Sequence, residues 1–62
     1  MTDYRLYLLD KAGKIQSAEW ISAAGDPEAV EQARALMKPV TCELWDRNRF
    51  VGRVEAHRSG PA

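Results

Sequence analysis

One cysteine, one histidine and three prolines are spread over 62 residues, and no apolar run is long. A lone thiol, Cys42, excludes an internal disulfide and any cysteine-rich zinc knuckle. His57, Cys42 and scattered carboxylates give no recognisable metal-ligand spacing, so no metal is expected. Gly13, Gly25, Gly52 and Gly60 lie too far apart to form a phosphate-cradling loop, and no other cofactor motif is present. No apolar stretch approaches the roughly 20 residues of a membrane span. The opening MTDYRLYLLDKAGK reaches a charged turn too soon for a signal peptide. A cytoplasmic protein without a membrane anchor is therefore expected, and its free cysteine suits a reducing compartment.

The chain also lacks a net charge, since nine Lys and Arg balance nine Asp and Glu. A dedicated nucleic-acid binder would carry a basic excess. The charges are unevenly placed, however. From Glu19 to Glu31 four acids meet no base, whereas from Asp46 to Arg58 four arginines meet two acids. Arg47, Arg49, Arg53 and Arg58 form either a local basic patch or part of a solvated surface. Apolar residues make up 45% of the chain and charged ones 29%, which is a globular composition. The length allows one domain, with residues 1–56 as its body and 57–62 as a frayed tail. A domain this small has a thin stability margin. With disulfides and metals excluded, self-association is the remaining common support.

Alternation predicts the strands. In DYRLYLLD, Tyr4, Leu6 and Leu8 point one way and Arg5, Tyr7 and Leu9 the other. DKAGK is a turn in which Gly13 supplies a positive φ. The returning KIQSAEWISA alternates poorly, so a bulge near Ala18 or Glu19 is a way to bring Ile15 and Trp20 to the core. In GDPEAVEQARALMKP, Asp26 reads as an N-cap, Pro27 suits the first helical turn, and Pro39 stops the helix. Ala29, Val30, Ala33, Leu36 and Met37 form one apolar stripe. VTCELWD and RFVGRVEA then read as a second hairpin around Asp46 to Arg49.

The expected fold is α+β, ββαββ: a four-stranded antiparallel sheet in the order 2-1-3-4 with one helix on one face. That order permits a right-handed crossover through the helix. The expected core is Leu6, Leu8, Ile15, Val30, Ala33, Leu36, Met37, Val40, Cys42, Leu44, Phe50 and Val54. Gly52 on this face is read as room for the helix or relief of a crowded layer.

One helix leaves the other face bare. Arg5, Tyr7, Leu9, Trp20, Glu43, Trp45, Val51, Arg53 and Glu55 should lie there. Tyr7, Trp20, Trp45, Val51 and Arg53 are the candidate interface, because large rigid aromatics bury much area at low entropic cost. Four readings compete: a solvated face held by cross-strand pairs, a homodimer, an unidentified protein partner, and single-stranded nucleic acid stacked on the aromatics. Glu43 and Glu55 weigh against the last, since they would repel phosphates. Catalysis has little support. Cys42 sits in a strand away from a helix N-terminus, and nothing orients His57 toward it. No enzyme is expected.

The segments YRLYLLD, DPEAVEQARALM and CELWDRNRFVGRV together resemble a group of short uncharacterised proteins, chiefly alphaproteobacterial, over nearly the full length. The resemblance implies a bacterial cytoplasmic protein and transfers no activity or functional residue.

Overall fold

The computed structural model describes residues 1–56. The strands are β1 (Thr2–Leu9), β2 (Ile15–Ala23), β3 (Cys42–Asp46) and β4 (Arg49–Val54), with helix α1 (Asp26–Ala35) between β2 and β3. They form one antiparallel sheet in the order β2-β1-β3-β4, as the alternation and crossover argument expected. The helix covers one face. The expected tail, with His57 and Arg58, lies outside the described residues.

The core under the helix is built from Tyr4, Leu6 and Leu8 of β1, Ile21 and Ala23 of β2, and Cys42 and Leu44 of β3. Ala29 and Ala33 meet them from the helix. Two alanines let the helix axis lie close to the sheet, so the long side chains of the layer come from the strands. Val30, Val40, Val51 and Val54 pack around the margin.

Several expected core residues lie elsewhere. Ile15, Leu36, Met37 and Phe50 are each 44–62% exposed. The helix ends at Ala35, before Pro39, with Leu36 as its C-cap and Met37 at φ 50. That left-handed residue turns the chain out of the helical stripe, which strands Leu36 and Met37 outside the core. Pro39 therefore follows a helix already stopped.

In both hairpins a bulge beside the turn decides which face the first residues of the returning strand take. Hydrogen bonds from Asp10 N–H to the Lys14 carbonyl and from Gly13 N–H to the Asp10 carbonyl close the first hairpin, with Gly13 at φ 83. The Asp10 carboxylate accepts from the Ala12 and Lys14 amides as well. This loop pairs Leu9 with Ile15, yet Leu8 pairs with Ser17. Gln16 is the extra residue of a bulge, and past it the faces of β2 exchange. Ile15 and Ile21, of equal parity in sequence, thus lie on opposite faces. The bulge lies nearer the turn than Ala18 or Glu19, so it turns Ile15 outward and leaves Trp20 on the open face where alternation put it.

The second hairpin repeats the device. Trp45 pairs with Phe50, but Leu44 pairs with Gly52, leaving Val51 as the extra residue. Phe50 therefore joins the open face, while Gly52 and Val54 face the helix. Gly52 is not required for a close approach. A Cβ there would meet Val30 Cγ2 at 3.9 Å, an ordinary contact.

Asp26 also plays a different part from the expected N-cap. The N-cap is Gly25, in extended conformation, and makes no side-chain cap. Glu28 reaches back to accept from the Ala24 amide at 2.7 Å, satisfying a donor ahead of the helix. The Asp26 carboxylate is freed for tertiary bonds. It accepts from the Tyr4 hydroxyl at 2.7 Å and, bidentately, from Arg49 at 2.9 and 3.0 Å. Arg49 also donates to Asp46 at 3.0 Å. One carboxylate thereby ties the start of the helix to β1 and to the β3–β4 hairpin. Hydrogen bonds from Arg49 and Tyr4 hold its pKa at about 2, and the same contacts raise those of Arg49 and Tyr4.

Candidate functional site: the open face of the sheet

Residues paired across antiparallel strands share a face. Following the pairs across all four strands gives a single row: Trp20 on β2, Arg5 on β1, Trp45 on β3 and Phe50 on β4. The Arg5 guanidinium carbon lies 4.3 Å from the Trp20 ring centroid. Trp45 and Phe50 meet edge to face, with centroids 5.4 Å apart and planes at 72°. Stacking of a cation on one ring and an edge-to-face pair beside it keep the row ordered without a covering layer.

The adjoining row is Ala18, Tyr7, Glu43 and Arg53. Glu43 accepts from the Trp45 indole N–H at 3.2 Å, which fixes the ring relative to this row. A shallow hollow of about 300 Å³ lies among Asp3, Arg5, Tyr7, Trp20 and Arg47. At the far end Leu9 is buried apart from the main core, beside a hollow shared with Val40, Arg53 and Ala56.

Of the five residues singled out from sequence, Tyr7, Trp20, Trp45 and Arg53 fall on this face. Trp20 is 69% exposed, whereas Tyr7 and Trp45 are half-buried. Val51, at the bulge, is the exception: it packs against the buried cluster and is half-covered. Phe50 takes its place. Sequence reasoning missed Phe50, Ile15 and the central position of Arg5. The available signal was the fixed length of each hairpin loop, which sets the first pair beyond the turn independently of strand alternation.

The other chemistry in the chain is structural in its surroundings. Cys42 is buried, its Sγ donates to the Val40 carbonyl at 3.4 Å, and burial raises its pKa. A thiol held in its protonated form is a poor nucleophile. Glu19 lies on the helix side, where it pairs with Lys38. Among the described residues no group of three or more His, Cys, Asp or Glu comes together to hold a metal, and no helix is long and apolar enough to cross a membrane.

Comparison of the chain with models of known families, with curated proteins and with solved structures finds no match.

Proposed function

We propose that this chain is a small non-catalytic interaction module that self-associates through the open face of its sheet. The observation that carries this reading is the row Trp20, Arg5, Trp45 and Phe50, in which Trp20 and Phe50 remain 69% and 50% exposed. An ordered aromatic row on a face with no second layer among the described residues is what a sheet presents to another protein surface.

The occupant proposed is a second copy. Arg5 and Arg53 share this face with Asp3 and Glu43, so a two-fold related copy can set each arginine near an acid. The available area sets the strength. The strands have 8, 9, 5 and 6 residues, and at about 3.4 Å of rise per residue and about 4.8 Å between strands they offer roughly 450 Å² per partner. Stable interfaces bury about 800 Å² on each side. A weak dimer, dependent on concentration, is the expected result.

Sedimentation velocity over a wide concentration range, on wild type and on Trp45→Ser, tests the reading. The expected outcome is a wild-type dimer at high concentration that the variant loses while circular dichroism stays native. A strict monomer at all concentrations would contradict it. Single-stranded oligonucleotides in the same experiment address the competing reading. Asp3 and Glu43 among the aromatics disfavour phosphates, so no salt-sensitive complex is expected.

A further inference from the structure

The two outer strands of the sheet differ as edges. β4 is short, with six residues, a bulge at Val51, a glycine at 52 and arginines at 49 and 53. Each of these features discourages another strand from pairing. β2 has nine residues, no proline and no lysine, its one bulge is confined to Gln16 at the turn end, and Glu19 is its single charge. Glu19 is turned to the helix side and held by Lys38. From Ser17 to Ala23 the register with β1 runs without interruption.

The direction of the free backbone groups follows from one hydrogen bond. The Ser22 carbonyl accepts from Gln32 Nε2 at 2.8 Å, so it is directed to the helix side chain at the sheet margin and not into the β1 ladder. In an antiparallel strand the N–H and C=O of one residue point to the same side, and alternate residues repeat that direction. Trp20 and Ala18 therefore turn their N–H and C=O groups outward. Among the described residues no strand pairs with this edge.

We propose that the outer edge of β2 takes up β2 of a second copy, antiparallel and centred on Ala18, to give a continuous eight-stranded sheet. The centring follows from two constraints. It leaves the Ser22 carbonyl to Gln32, and it sets Glu19 opposite Ser17 instead of opposite the other copy's Glu19. No like charges then meet across the two-fold axis, the usual obstacle to a strand pairing with itself. Ala18 brings only a methyl group to the axis. Edge pairing also lays the two open faces side by side on one surface. The partner is the same as in the open-face reading, but the surface is not, so the two fail separately.

Amide hydrogen exchange of the full chain at low and high protein concentration, beside sedimentation velocity, tests this directly. The Ala18 and Trp20 amides should exchange freely in the monomer and slow by about tenfold or more where the dimer dominates. Trp45→Ser should leave that slowing intact. Ala18→Pro removes only an outward N–H, which an edge strand tolerates, and should abolish the edge dimer with the β1–β2 ladder still protected. Exchange at these two amides that ignores concentration while a dimer forms would overturn the edge proposal and leave the open face as the interface. A monomer throughout would overturn it as well. Should Ala18→Pro fail to fold, the wild-type exchange of Ala18 and Trp20 decides alone.

Discussion

The two faces of the sheet are made of the same four strands and differ in nearly every other respect. Under the helix, the buried layer is Tyr4, Leu6, Leu8, Ile21, Cys42 and Leu44 closed by Ala29 and Ala33. On the other side, Trp20, Trp45, Phe50 and Tyr7 stand around two arginines, and Trp20 and Phe50 stay exposed. Under the helix, small helix residues let large strand side chains, Tyr4 among them, close into a core, and on the other side the aromatics have no such cover among the described residues. A chain limited by its thin core would gain most by burying those rings inside. Of these rings only Phe50 is turned outward by a bulge, whereas Tyr7, Trp20 and Trp45 stand there by the alternation of their strands, so the contrast between the faces is built mainly into the strand pattern itself.

Substitutions should act unequally on the two faces. Leu44→Ala deletes a fully buried side chain and should cost about 2–5 kcal/mol. The total stability expected for a domain of this length is only about 3–9 kcal/mol. Chemical denaturation of Leu44→Ala should therefore find about half or more of that stability gone. The same measurement on Trp45→Ser should show a smaller loss despite the larger side chain removed, because the ring is only half-buried: the edge-to-face pair, about 0.5–1.5 kcal/mol, plus part of the ring's burial. Equal losses at the two positions would erase the difference between the faces.

The Asp26 clasp adds a pH dependence to the covered side. Its pKa falls from the usual carboxylate range to about 2 in the folded chain. The stabilisation is therefore present above the unfolded value of about 3.9 and is lost as pH falls through about 2. Thermal unfolding of Asp26→Asn should show a lower midpoint at neutral pH and a flatter response below pH 4 than wild type. A parallel acid response in both proteins would remove the clasp from the account.

Two smaller effects concern the second hairpin. Arg47 adopts φ 57, which favours glycine, so Arg47→Gly should raise stability by about 0.5–1 kcal/mol. Gly52→Ala should be close to neutral, because its Cβ finds 3.9 Å to Val30. A large loss there would mean the helix sits nearer β4 than described.

The order of elements and the sheet topology were legible because they rest on long signals: alternation in β1 and β3, the DPEAVEQARA helix, and a crossover that admits few arrangements. The fate of Ile15, Phe50 and Val51 was not. Alternation assigns faces by parity, and a single extra residue reverses parity for everything beyond it. Gln16 and Val51 carry no local mark of being that residue. Asp26 was misread for a related reason. Its position suits a cap, but Tyr4 and Arg49, distant in sequence, compete for its carboxylate. Four of the five candidate interface residues were nevertheless placed on the correct face, since Tyr7 and Trp45 lie on the inner strands and Trp20 and Arg53 lie on the sides of the bulges away from the turns, where alternation holds.

The most direct test of the open face is a dilution series followed through the two indole N–H resonances. Trp20 and Trp45 should both shift with concentration, with Glu43 substitution altering the Trp45 signal, while amides on the outer side of the helix stay fixed. Indole signals that hold still while the helix amides move would contradict the account, and would place whatever association occurs on the covered side of the molecule.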